Sequence, residues 1–152
     1  MDANASLALL ADGVADHLLA PPVNVLRLSL HPDGVAPRIV NLGEWRAHVL
    51  GRLRRQVELT ADRALIDLLS EVSAYPAATD RSGKPPNVEH EIAVPFRIRT
   101  SVGELSFFSM TTVFGTPVDV MLSELALELF FPADDDTESA VQRLAASART
   151  AN

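Results

Sequence analysis

Residues 91–99 read Glu-Ile-Ala-Val-Pro-Phe-Arg-Ile-Arg, and their alternation of apolar and polar side chains decides the fold. Successive side chains on a β-strand point to opposite faces, so this pattern predicts a strand with one buried face and one solvent-exposed face. The side chains expected to face the core are Ile92, Val94, Phe96 and Ile98. Those expected on the opposite face are Glu91, Pro95, Arg97 and Arg99.

Two further strands are predicted on the C-terminal side of this stretch. A turn through Ser101 to Gly103 leads into a strand over residues 105–114, which carries apolar side chains on both faces. Such a strand is typical of the centre of a sheet that is covered on both sides. The third strand, residues 124–131, is expected to turn Leu125, Leu127, Leu129 and Phe131 inward. Residues 118–122 either extend the second strand or start a short element of their own.

The first half of the chain and its last residues carry helical spacing instead. The predicted helices cover about residues 6–19, 42–59, 61–74 and 137–148. Asn41 and Thr60 are the expected caps of the second and third helices, and Glu44 stands where a capping-box acid belongs. Residues 24–30 fit either a strand or a short helix capped by Asn24, and residues 76–87 read as a flexible loop. These elements predict an α+β domain, with helices packed on one face of a small antiparallel sheet.

Composition limits what this domain contacts. A length of 152 residues corresponds to one domain, and the net charge of −7 disfavours contact with a nucleic-acid backbone. The absence of cysteine excludes disulfides, cysteine nucleophiles and iron–sulfur clusters. No apolar run approaches the roughly 20 residues that a membrane helix needs. We therefore expect a cytoplasmic domain that meets neither a membrane nor DNA directly.

The residues that often carry chemistry form no recognisable motif. The four histidines, His17, His31, His48 and His90, show no metal-ligand spacing, and we expect them to be surface or partly buried side chains. No glycine-rich phosphate loop or nucleophile elbow is present, so we expect no nucleotide cofactor, no metal and no catalysis. The aromatic side chains beside the predicted sheet either fill the core or line an apolar cavity, and the pattern fits both alternatives.

Several short motifs, taken in order, resemble a known family. They are Asn24-Val25-Leu26-Arg27, His31-Pro32, Glu44-Trp45, Leu53-Arg54 and Gly103-Glu104-Leu105, followed by Phe114-Gly115-Thr116-Pro117 and Phe130-Phe131-Pro132. In this order and spacing the chain resembles, over nearly its whole length, the C-terminal ligand-binding domain of MmyB-like bacterial regulators, which carry an N-terminal helix-turn-helix of the Xre type. Glu44 stands where the family pattern has aspartate.

The resemblance implies a PAS-like fold that encloses a pocket for a small apolar ligand, with fatty acids as the leading candidate. The residues expected to contact this ligand are Asn24, Arg27, Trp45, Val49, Phe96, Phe107 and Phe114. Arg27 would pair with a ligand carboxylate through two hydrogen bonds. A purely structural alternative stays open, in which Asn24 caps its segment and Arg27 pairs with an internal acid.

Measured against the family, residues 1–152 are expected to be a single PAS-like ligand-binding domain that lacks the helix-turn-helix and the first PAS strands. A sheet without its edge strands exposes unpaired backbone, which predicts a homodimer. The leading functional hypothesis is a sensor whose ligand shifts a conformational equilibrium that the DNA-binding domain reads. The alternatives are a dimerisation or protein-interaction module without a ligand and, last, a small enzyme.

Overall fold

The computed structural model describes residues 12–76, 94–113 and 126–150 of the chain. Within these ranges five α-helices accompany a three-stranded antiparallel sheet, so the expected α+β class is confirmed. The helices are α1 (Asp16–Leu19), α2 (Val25–Leu30), α3 (Leu42–Thr60), α4 (Arg63–Ala74) and α5 (Asp135–Thr150), with a short 3₁₀ turn at Ala36–Arg38. The strands are β1 (Phe96–Thr100), β2 (Gly103–Val113) and β3 (Ala126–Pro132).

The sheet has the order β1-β2-β3, which puts β2 in the centre as predicted. Phe96 lies opposite Phe107 and Ile98 opposite Leu105, and these four side chains are buried. Phe108, on the other face of β2, is 42% exposed. This face is therefore not fully covered, contrary to our expectation of a strand covered on both sides. The outer edge of β1 is also partly occupied, because Ile39 forms a bridge with Ile98 and the Val40 amide donates to the Arg97 carbonyl at 2.8 Å.

The predicted inward face of the third strand is wrong at its C-terminal end. Phe131 lies opposite Phe108 and is 48% exposed. Phe130 lies opposite Ser109, which places its ring on the same face as Phe107. The sequence offers two adjacent phenylalanines, and only the pairing with β2 decides that Phe130, which is 37% exposed, shares the face of Phe107.

The N-terminal segment and α2 also differ from expectation. Residues 12–15 are not helical, and Gly13 has a φ of +71°, which interrupts the regular spacing before α1 begins. The part of the predicted first helix at residues 6–11 lies outside the described residues. For residues 24–30 the helix is the correct alternative, because the Asn24 side-chain oxygen accepts from the amides of Leu26 and Arg27 at 3.0 and 3.1 Å.

Thr60, the predicted cap of the third predicted helix, does not cap it, because α3 continues to Thr60 and α4 begins only at Arg63. Thr60 still belongs to α3 and its hydroxyl donates to the Gln56 carbonyl. Ala61 then takes a left-handed conformation with φ of 50°, and the Asp62 carboxylate accepts from the Ala64 amide at 2.7 Å to begin α4. Asn41 makes no cap hydrogen bond with its side chain either, because this side chain is used for a long-range contact described below.

The last helix begins before Thr137, which was its predicted first residue. Asp134 accepts a hydrogen bond from the Thr137 amide at 2.7 Å, and hydrogen bonds from Thr137 lower the pKa of the Asp134 carboxyl. Thr137 itself is buried, and its hydroxyl oxygen accepts from the Ser106 amide at 3.0 Å. This bond joins the start of α5 to the central strand. The predicted element at residues 118–122 lies outside the described residues, and so does nearly all of the predicted loop at 76–87.

Candidate ligand site between α3 and the sheet

Four aromatic rings meet where α3 crosses the sheet. The Trp45 ring centroid lies 4.9 Å from that of Phe96, and Phe96 lies 5.8 Å from Phe130. Phe107 contacts Phe130 edge-on at 6.3 Å. We call Trp45, Phe96, Phe107 and Phe130 the aromatic cluster. It draws one ring from α3 and one from each strand, so its shape depends on how the helix sits on the sheet.

The sequence places Trp45 here through helix periodicity and one polar anchor. Trp45, Val49 and Leu53 follow each other at four-residue spacing and form the buried stripe of α3. Just before the helix, Asn41 binds β1 directly: its Nδ2 donates to the Pro95 carbonyl at 2.8 Å, and its Oδ1 accepts from the Arg97 amide at 3.2 Å. This anchor holds the first turn of α3 against β1, and therefore holds Trp45 against Phe96.

Trp45 also brings an unsatisfied polar atom into the core. The ring is only 4% exposed, and its Nε1–H has no hydrogen-bond partner in the part of the chain that the structure describes. Buried donors in folded proteins are nearly always paired, and leaving one unpaired costs about 1–3 kcal/mol. A molecule that offered an oxygen to this N–H would recover that free energy on binding.

His48 adds a titratable ring to the same place. It lies one turn after Trp45, and the two rings stack at 5.9 Å with an interplanar angle of 30°. Burial, with a smaller effect of the Arg52 and Arg55 charges, lowers the pKa of His48 below its usual value. This shift favours the neutral form of the imidazole, which suits a largely apolar site.

Arg27 lies in a different cluster, on the surface between α2 and α4. Its Nε and Nη2 donate to the two carboxylate oxygens of Glu71, both at 2.8 Å, and the Tyr75 hydroxyl donates to Glu71 Oε1 at 2.6 Å. Hydrogen bonds from Arg27 and then Tyr75 lower the pKa of Glu71 to about 2. Burial and the Glu71 carboxylate raise the pKa of Tyr75 to about 12. Arg27 therefore pairs with an acid of its own chain, which is the structural alternative that the sequence left open.

A family model described as the MmyB-like transcription regulator ligand binding domain matches residues 1–144. The chain belongs to this family. It is a family of regulator ligand-binding domains rather than of enzymes, and this agrees with the resemblance read from the motifs. No curated protein and no solved structure shows a significant match to the chain. None of the helices in the described ranges of this MmyB-like domain combines the length and the apolar character of a membrane-spanning segment.

The MmyB-like domain brings together four of the seven predicted site residues. Trp45, Val49, Phe96 and Phe107 are buried at the interface of α3 with the sheet. Asn24 precedes α2 and caps it, whereas Arg27 lies on α2 and pairs with Glu71. Phe114 lies outside the described residues. A ligand-contact role for these residues stays a prediction.

Sequence reasoning missed two side chains of the candidate site in this MmyB-like domain: Phe130, which belongs to the aromatic cluster, and His48, which stacks on it. Phe130 is one of the aromatic residues expected beside the sheet but not one of the predicted site residues, and only the pairing of β3 with β2 brings it next to Phe107. The sequence predicts His48 only as a surface or partly buried side chain, although its position three residues after Trp45 on a helix puts it next to that ring. An open cleft of about 570 Å³ lies elsewhere, between residues 12–15 and 32–38, and none of the predicted site residues lines it.

The pair of Glu71 with Arg27 predicts a pH-dependent contribution to stability. The carboxyl pKa falls from 4.5 in the unfolded chain to about 2 in the fold, so the contribution is present above pH 4.5 and is lost as the pH falls towards 2. The two side chains are 45% and 40% exposed, and solvent screening limits the contribution to about 1 kcal/mol or less.

We therefore expect Glu71→Gln to lower the free energy of unfolding by about 1 kcal/mol or less at pH 7, measured with urea. The difference from the wild type should shrink as the pH falls below 4.5. Glu58→Gln, at an exposed position on α3, is the matched control and should change stability by less than about 0.5 kcal/mol. A difference that stays constant down to pH 3 would contradict the assignment.

Proposed function

We propose that this domain senses a small, mainly apolar molecule that carries an oxygen acceptor, with a fatty acid as the leading class. The observation that carries the proposal is the buried Nε1–H of Trp45, which has no partner among the described residues. The aromatic cluster around it supplies apolar surface, and the unpaired donor favours a ligand with a matching acceptor. Membership of the MmyB-like ligand-binding family supports the same class of function.

The ligand's oxygen is assigned to Trp45 rather than to Arg27 on energetic grounds. Arg27 already uses two N–H groups on Glu71, so a ligand carboxylate would reach it only by displacing a bidentate partner. Trp45 has no competing partner in the described structure, so a hydrogen bond there replaces nothing. His48, which stacks on the indole and whose neutral form is favoured by burial, adds a second polar group beside it.

Binding in this position would act through the junction of α3 with the sheet. The aromatic cluster joins α3 to all three strands, so a ligand between the rings favours one arrangement of helix and sheet over another. A ligand shifts such an equilibrium by its differential affinity for the two arrangements. In a regulator of this family we propose that a DNA-binding domain reads that shift in the cytoplasm.

The proposal predicts a specific spectroscopic response to dodecanoate. Trp45 is the only tryptophan, so a proton–nitrogen NMR spectrum holds a single indole N–H signal. On addition of dodecanoate this signal should move downfield and saturate, because the N–H gains an acceptor. Trp45→Phe keeps a ring but removes the donor, and calorimetry should show dodecanoate affinity about 5- to 10-fold lower.

Tyr75→Phe is the matched control, because it removes a hydroxyl that binds Glu71 rather than the aromatic cluster. It should leave the affinity for dodecanoate within about twofold of the wild type. If dodecanoate binds while the indole signal stays in place, the assignment of the oxygen to Trp45 is wrong. If dodecanoate and its shorter and longer homologues do not bind at all, the fatty-acid proposal fails.

A second candidate function is a homodimerisation or protein-interaction module. Phe108 and Phe131 face each other across β2 and β3 and are both exposed, which favours a partner on that face of the sheet. The same titration separates the candidates. A pure interaction module leaves the indole signal unchanged by dodecanoate, and if a second copy packs on this face, the molar mass from light scattering rises with protein concentration.

A further inference from the structure

Two histidines and an aspartate meet at the junction of α1 and α2. His17 lies on α1, His31 follows the last residue of α2, and Asp33 lies in the next turn. One potential ligand atom from each residue lies within 4.8 Å of the other two. We propose that this group binds a divalent transition-metal ion such as Zn²⁺ or Co²⁺.

The donor set selects the class of ion. Two imidazole nitrogens and one carboxylate oxygen suit Zn²⁺, Co²⁺ and Ni²⁺, whereas Mg²⁺ and Ca²⁺ prefer oxygen ligands alone. Three protein ligands are also fewer than a closed tetrahedral site uses, so one position stays for water or a small anion. The chain has no cysteine, so a thiolate cannot complete the set.

The distances require only side-chain movement to reach coordination geometry. Ligand atoms bound at about 2.1 Å in a tetrahedral site lie about 3.4 Å apart, compared with the upper limit of 4.8 Å here. Asp33 is 65% exposed at its side chain and His17 is exposed, so both can rotate. The His31 ring makes edge-on contacts with the rings of His17 and Tyr75, at 5.5 and 4.9 Å.

The backbone beneath these side chains is fixed by hydrogen bonds. The Ala15 amide donates to the Asp33 carbonyl at 3.0 Å, which ties the entry to α1 to the turn after α2. The Gly34 amide donates to the His31 carbonyl at 2.9 Å and closes the turn. A metal ion would therefore meet ligands on a preformed scaffold, which lowers the ordering cost of binding.

The hydrogen bonding of the His31 ring indicates which of its two nitrogens would bind the metal ion. The Asp33 amide donates to His31 Nδ1 at 3.0 Å, so Nδ1 carries the lone pair, and it lies 3.9 Å from Asp33 Oδ2. Coordination through Nδ1 exchanges the contact with the amide for a bond to the metal and places the ion on the side of the carboxylate. The ring's contact with Tyr75, which binds Glu71, links the site to α4.

The test is a Co²⁺ titration of the tag-free, chelator-treated full chain, followed by the visible absorption of bound Co²⁺. We expect saturation at one Co²⁺ per chain and displacement by Zn²⁺, which binds such sites more tightly. His17→Ala and Asp33→Asn should each weaken Co²⁺ binding about tenfold or more. Zn²⁺ at about tenfold excess over its Kd should raise the Tm of the wild type by about 3 °C, and this rise should be lost in His17→Ala.

Asp16→Asn is the control, because Asp16 is an exposed acid directly beside His17 but is not one of the three ligands. It should bind Co²⁺ within twofold of the wild type. Because His17 is exposed, its replacement leaves the fold intact and the comparison remains meaningful. Wild-type protein that fails to saturate at one equivalent, or His17→Ala protein that binds as the wild type does, overturns the proposed site.

Discussion

Replacing Gly34 with alanine is expected to destabilise the domain by about 3 kcal/mol or more, because a methyl group has no room there. A Cβ at position 34 would lie 2.3 Å from the backbone oxygen of Leu28 and 3.2 Å from that of His31. Both oxygens are fixed, since Leu28 accepts from the Val35 amide and His31 accepts from Gly34 itself, each at 2.9 Å. Relief of the clash therefore breaks the turn between α2 and the 3₁₀ segment.

Gly51→Ala is the matched control within the same chain. Gly51 lies inside α3, where a Cβ would meet only Arg55 Nη1 at 3.8 Å, an ordinary contact. Alanine at that position should stabilise the helix by about 0.5–1 kcal/mol. Urea unfolding of both variants measures the contrast. A Gly34→Ala protein that unfolds within about 1 kcal/mol of the wild type would show that the turn is not rigid.

Local signals predicted most of the elements but not their ends. The alternation around Phe96 and Ile98 identified β1, because a half-buried strand leaves a period-two trace in the sequence. Two predicted helix caps, Asn41 and Thr60, were wrong because each side chain makes a different contact. Asn41 looks like a helix cap, yet its side chain is drawn to β1, 54 residues further along the chain. No local window contains that partner.

The residues of the candidate site also divide into those with a local sequence signal and those without one. Trp45, Val49, Phe96 and Phe107 were predictable because each lies on an apolar stripe of its own element. Phe130 required the register between β2 and β3, which a doubled phenylalanine leaves undecided. The group of His17, His31 and Asp33 required the turn that folds α2 back on α1, so its separations in sequence, 14 and 2 residues, resemble no metal motif.

Asn41→Ala is expected to cost about 2–4 kcal/mol, more than any other polar truncation proposed for this domain. Asn41 is 9% exposed and donates to both the Pro95 carbonyl and the Glu44 carboxylate, while its Oδ1 accepts from the Arg97 amide. Alanine leaves the Pro95 carbonyl and the Arg97 amide, both partly buried, without these partners. The start of α3 also loses its attachment to the sheet.

Asn24→Ala separates this effect from the general loss of an asparagine. Asn24 also makes two side-chain hydrogen bonds, but both are local bonds at the partly exposed start of α2, and their loss should cost about 1 kcal/mol. Urea unfolding gives both values, and equal costs would mean that the contact with β1 contributes nothing beyond a cap. Because Asn41 holds Trp45 against Phe96, its loss should also lower dodecanoate affinity, whereas Asn24→Ala should leave that affinity unchanged. If Asn41→Ala loses both stability and dodecanoate affinity while Asn24→Ala keeps its affinity, the contact of Asn41 with the sheet contributes to ligand binding.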